Sequence, residues 1–137
     1  MTNLKRFSIS LNKDLVNKFD NHIKEKNYST RSKAIGDLIR QDFVKTEWIQ
    51  GEKVIGIITM VYDHHKKELV NKLIDIEHHF HDLIISSQHI HLDKDNCVEI
   101  IITKSNPKKI ENLFDKLKST KGVKHSSLSM ATTGQQI

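Results

Sequence analysis

Residues 4–40 read LKRFSISLNKDLVNKFDNHIKEKNYSTRSKAIGDLIR, and within this stretch the hydrophobic period changes from two to about 3.6. Over residues 4–11 the side chains alternate: Phe7, Ile9 and Leu11 share one face, and Arg6, Ser8 and Ser10 share the other. That pattern predicts a short strand with one apolar face. Asn12-Lys13-Asp14 supplies helix-start chemistry, after which Leu15, Val16, Phe19 and Ile23 recur at helical spacing to about Lys26. Asn27 suits the left-handed conformation that ends a helix, and Ser29 or Thr30 can cap the next one. Ala34, Ile35, Leu38, Ile39 and Phe43 then trace a second apolar stripe. The order is strand, helix, helix.

One unpaired strand and two helices, in residues 1–47, are too little to close a core. A second copy solves the problem: antiparallel pairing of the two strands buries Phe7, Ile9 and Leu11 against four helices. Arg6, Ser8 and Ser10 then project from a two-stranded ribbon, an element that fits the DNA major groove. There Arg grips guanine bidentately and hydroxyls adapt to several base edges. The stretch 4–40 resembles the ribbon-helix-helix repressors, which implies dimeric binding to double-stranded DNA. Ser29, Thr30, Arg31 and Ser32, at the start of the second helix, are the expected phosphate contacts, because free N–H groups and the positive dipole end face an anion there.

Residues 48–52 are expected to be a linker broken at Gly51, and a second domain to occupy residues 53–137. Lys53 to Val61 reads as a buried strand and His64 to His79 as a helix with Leu69, Leu73 and Ile76 inward. Leu83–Leu92 and Cys97–Lys104 read as strands joined by the turn Asp93-Lys94-Asp95-Asn96. Pro107 opens a helix, and Val123–Met130 gives a last strand after Gly122. The sequence βαββαβ is the ferredoxin-like sandwich, so the fold class is α+β. The tail ATTGQQI, residues 131–137, reads as polar and frayed.

The chain of 137 residues is 36% apolar and 28% charged with one proline, which excludes a disordered or linker-dominated protein. A single cysteine excludes an intrachain disulfide. The opening residues lack the apolar core of a secretory signal, and no apolar run reaches the length of a spanning helix. A cytoplasmic protein with no membrane partner is expected. Of the formal charge of +5, residues 1–50 carry ten Lys/Arg against six Asp/Glu, placing the basic excess on the head that would meet a polyanion.

Seven of nine histidines fall between His64 and His91, which points to metal or proton chemistry. His89 and His91 lie two apart and so share a strand face. Pairing about Lys94 sets His91 opposite Cys97, where cross-strand Cβ atoms lie roughly 4.5–5.5 Å apart. Imidazole and thiolate donors suit Ni, Cu or Zn over Mg or Ca. A fourth ligand would come from His78, His79 or His81, among which spacing alone does not choose.

The basic head followed by EHHFHDLIISSQHIHLDKDNC, residues 77–97, closely resembles the nickel-responsive regulators of the NikR family over nearly the whole chain. That resemblance implies an ACT-like metal domain forming a central homotetramer, a dimer of dimers. It implies Ni(II) held by His89, His91 and Cys97, with His78 supplied by the neighbouring chain. It implies no enzyme activity, but a repressor that binds operator DNA when loaded and controls nickel uptake genes. Glu99 and, more weakly, Tyr62 and Glu77 are candidates for orienting the ligands. Family members commonly carry glutamine where Glu77 stands. Some also hold a further cation through acidic residues of the second helix; Lys33 here replaces one of these beside Asp37, so that site is not expected. The alternatives are a ribbon-helix-helix regulator responding to Cu, Zn or a non-metal effector, and a hydrolase built on His89-x-His91-x-Asp93, for which no paired carboxylates or phosphate loop are found.

Overall fold

A computed structural model describes residues 3–135 and 137. The elements in chain order are α1 (Lys13–Glu25), α2 (Arg31–Gln50), β1 (Val54–Asp63), α3 (Lys67–His79), β2 (Ile84–His91), β3 (Asn96–Ser105), α4 (Pro107–Lys118) and β4 (Val123–Ala131). They group into two compact units, residues 1–40 and 41–137.

In the first unit Asn12 caps α1, its side chain accepting the Asp14 N–H at 2.9 Å. The helix stops at the expected residue: Asn27 takes φ +61°, and the Tyr28 N–H closes on the Ile23 carbonyl at 3.0 Å. Thr30 caps α2, its Oγ1 accepting the Lys33 N–H at 3.1 Å. Residues 3–12 belong to no hydrogen-bonded ladder, in contrast to the strand that the alternation predicts. The physical reason is stoichiometric, since a ribbon needs two strands and one chain supplies one.

The expected linker is also different. Residues 48–50 continue α2 as far as Gln50, and the break is confined to Gly51, at φ +75°. The helix persists because its last turns are packed: Trp48 is buried and donates its indole N–H to the Ala131 carbonyl at 3.0 Å. Thr132 donates to Glu47 Oε2 at 2.9 Å, so the tail is tied down at its first residues; Gln136 lies outside the described residues.

The second unit is a four-stranded antiparallel sheet in the order β2-β3-β1-β4, the βαββαβ ferredoxin-like arrangement. Residues of β1 alternate buried and half-buried; Val54, Ile58, Met60 and Tyr62 join Cys97 and Ile101 of β3 in a core with Leu69 and Leu73 of α3 and Ile110, Leu113 and Leu117 of α4. Gly56 has a packing reason: a Cβ there would fall 2.7 Å from Ile110 Cγ2 and 3.0 Å from Thr103 Oγ1. α3 begins at Lys67, three residues after the expected start, because Asp63 Oδ1 accepts the His65 N–H at 2.9 Å and holds residues 63–65 in a turn.

Candidate functional site

The β2–β3 ladder pairs His91 with Cys97 and His89 with Glu99, the register expected from symmetry about Lys94. Asp93 fixes that register, its Oδ1 accepting the N–H groups of Asp95 at 2.9 Å and Asn96 at 2.8 Å; these bonds hold its carboxyl down at about 2. On the other side of β3, β1 sets Tyr62 opposite Cys97 and Met60 opposite Glu99. Strand period then puts His89, His91, Cys97, Glu99 and Tyr62 on one face of three adjacent strands.

Glu99, fully buried, organises this face. Tyr62 Oη donates to its Oε1 at 2.9 Å, and His89 Nε2 lies 3.3 Å from the same oxygen. Its Oε2 has no partner among the described residues. Burial, followed by the neighbouring Glu99 carboxylate, pushes the Glu77 carboxyl well above the ordinary range, so Glu77 is the protonated member of the pair. Burial also pushes the Cys97 thiol up, opposed by a hydrogen bond with Tyr62. Burial and the Glu99 charge push the Tyr62 phenol up as well. The site thus holds a thiol, a phenol and one proton on its carboxyl pair.

His91 turns its ring onto His64, with centroids 4.4 Å apart and planes 3° from parallel. Among the described residues no three His, Cys, Asp or Glu side chains of one chain meet closely enough to hold an ion. His78 is exposed at the end of α3, and with Ile74, Glu77, His81, Ser87 and His89 it lines an open pocket of about 390 Å³. His81 donates from Nδ1 to the His78 carbonyl at 2.9 Å, while His79 packs edge-on to Phe80. Neither faces the hairpin pocket as His78 and His89 do, His81 excepted at its rim.

In the first unit Arg6, Ser8 and Ser10 are exposed, and so are the alternate Phe7 (71%), Ile9 (55%) and Leu11 (53%). Ile9, Leu11, Leu15, Val16, Phe19 and Leu38 line an apolar groove of about 340 Å³. Ser29, Thr30 and Ser32 are exposed at the start of α2, whereas the Arg31 guanidinium is engaged by both oxygens of Asp20, each at 2.8 Å. Lys33 Nζ lies 2.9 Å and Arg40 Nη1 3.0 Å from Asp37 Oδ1, so two side-chain cations already occupy that carboxylate.

Residues 55–131 match the family model described as the NikR C-terminal nickel-binding domain. A relative from Syntrophus aciditrophicus assigned as a nickel-responsive regulator is 53% identical over 135 residues, 98% of each chain. The chain belongs to the NikR family of nickel-responsive regulators. A second relative so assigned, from Chlorobaculum parvum, is 52% identical over 96% of this chain and 98% of its own. An uncharacterised protein of Thermotoga maritima shares the fold at a TM-score of 0.52 and 20% identity, covering 58% of this chain and 98% of its own.

NikR membership makes nickel the effector and regulation, not catalysis, the activity. The donor set fits that ion: two imidazoles and a thiol on one sheet face, with a buried carboxylate oxygen left unpartnered beside them. No helix among the described residues is long and apolar enough to cross a membrane. Sequence reading missed the convergence of His64 and His65 on the Lys94 carbonyl. The signal was available: β1 pairs with β3 in this fold, so the residues after β1 must adjoin the turn before β3.

Proposed function

We propose that this chain is a nickel-dependent repressor that binds operator DNA as a dimer of dimers and controls nickel uptake genes. His89, His91 and Cys97 of one chain and His78 of a neighbouring chain hold Ni(II). The ion supplies a strong, tetragonal crosslink between donors that a single chain does not bring together. The observation that carries this reading is the His91–Cys97 register with His89 on the same face, in a chain where no complete donor set forms alone. Glu99 orients His89, Tyr62 anchors Glu99, and Glu77 keeps a proton beside it.

In the heads, pairing of residues 4–11 from two chains covers the exposed apolar side chains and leaves Arg6, Ser8 and Ser10 for base edges, with residues 48–52 joining each head to the metal domain at 53–137. Backbone N–H groups at Ser29, Thr30, Arg31 and Ser32 face phosphate. Arg31 acts there through its main chain, since Asp20 holds its side chain.

The decisive experiment is Ni(II) titration of metal-free protein, with ultraviolet absorption and promoter binding read together. Wild type is expected to develop a thiolate-to-nickel charge-transfer band and to bind a nickel-uptake promoter only when loaded. Cys97→Ala is expected to lose both. Equal promoter affinity with and without nickel would overturn the repressor reading.

A further inference from the structure

A second convergence of imidazoles lies outside the hairpin donor set. The turn after β1 presents His64 and His65 in succession, and because Asp63 pairs with Asn96 the turn lies against residues 93–95. There His64 Nε2 is 3.1 Å and His65 Nε2 2.9 Å from one acceptor, the Lys94 carbonyl oxygen. The two rings are 4.1 Å apart, and Asp95 Oδ1 lies 3.9 Å from His65 Nε2.

A carbonyl oxygen only accepts, so both Nε2 atoms carry protons in this arrangement and compete for one oxygen. Moving each proton to Nδ1, a tautomer change within the ring, turns two Nε2 lone pairs toward the same point beside a carbonyl oxygen and a carboxylate. The main chain does not depend on the imidazole contacts, because the His64 N–H bonds to the Asp95 carbonyl at 3.0 Å and the His65 N–H to Asp63. The rings are free to exchange partners while the loop stays in place. His65 and Asp95 are each 59% exposed, which leaves room for water to complete a coordination sphere.

We propose that His64 and His65, with the Lys94 carbonyl and the Asp95 carboxylate, form an auxiliary site for a borderline divalent cation, of the Ni(II) or Zn(II) type. Two imidazole nitrogens with oxygen donors and water select such ions over Mg and Ca. Having only two nitrogen ligands and high exposure, the site is weaker than the hairpin site. Its ring His64 is the one on which His91 stacks, so a cation here fixes the surface against which a hairpin histidine rests.

The test uses the full chain and Ni(II) as the probe, with His64→Gln/His65→Gln as the principal variant. Glutamine still donates to the Lys94 carbonyl but is a poor ligand for this class of ion, so the loop is kept while the donors are lost. At saturating nickel, equilibrium dialysis is expected to give two ions per chain for wild type and one for the double variant, with the thiolate band unchanged in both. Cys97→Ala is expected to keep one ion without the band, and to gain a few degrees in thermal midpoint on nickel addition that the triple variant does not show. Equal stoichiometry in wild type and the double variant would overturn the site. A Cys97→Ala protein that still binds two ions, one of them lost in the triple variant, supports the auxiliary site and counts against the hairpin reading alone.

Discussion

Two carboxyl groups at the metal centre share one proton, and the residue that keeps it can be replaced by one that needs none. Glu77 is partly buried beside Glu99, and its carboxyl sits well above the ordinary range because of burial first and Glu99 second. A folded-state value raised above the unfolded one costs stability increasingly as pH rises above about 4.5, where the unfolded carboxyl ionises. Glu77→Gln, whose amide also donates to a carboxylate, is therefore expected to stabilise the protein at pH 7 by roughly 1 kcal/mol after allowance for solvent screening. The gain should vanish near pH 4, as read by chemical denaturation. Cys97 gives a prediction of opposite sense. Its thiol is pushed up by burial, so nickel must displace a proton that the free protein retains at neutral pH. Nickel affinity should fall about tenfold per unit of acidification from the thiol alone, and more steeply below about pH 6.5 as imidazoles protonate. Competition titrations at pH 8, 7 and 6 measure the slope; a flat profile would count against Cys97 as a ligand.

At the scale of elements, hairpin register was legible because period two and a four-residue turn leave one pairing that buries Cys97, and Asn27 was legible because few residues tolerate φ +61°. The end of α2 was not legible. Glu47, Trp48 and Ile49 look like a polar junction in sequence, yet Trp48 is helical and buried because its indole reaches the end of β4, an attachment 83 residues away that no local pattern carries. The start of α3 failed for the reverse reason, a side-chain turn at Asp63 overriding a helical-looking run. The same layer of long-range packing makes Gly56 a sensitive position. A methyl group there meets Ile110 of α4 and Thr103, whose hydroxyl donates to the Gly56 carbonyl at 2.7 Å. Gly56→Ala is expected to push α4 off the sheet and cost about 1–3 kcal/mol, the usual range for overpacking, visible as a lowered urea midpoint. An unchanged midpoint would mean that α4 yields freely.

For the whole molecule, what one chain leaves unfinished is as informative as what it completes. The head exposes Phe7, Ile9, Leu11, Leu15 and Leu38 beside an apolar groove, and the hairpin lacks a closed donor set, so each unit requires another chain at a different place. Nickel and DNA then bind one assembly at separate sites, and thermodynamic linkage constrains them jointly: if nickel raises promoter affinity by some factor, promoter DNA must raise nickel affinity by the same factor. Couplings of about 1–3 kcal/mol are typical, which corresponds to about 5–150-fold. The expected result is a nickel dissociation constant lowered by that factor when a saturating promoter fragment is present at fixed salt. Arg6→Ala should remove the effect, because it weakens base contact and so the DNA end of the cycle, while leaving nickel affinity in the absence of DNA unchanged. A nickel affinity insensitive to promoter DNA, in a protein whose DNA binding does require nickel under the same conditions, would break the cycle and exclude a single coupled equilibrium.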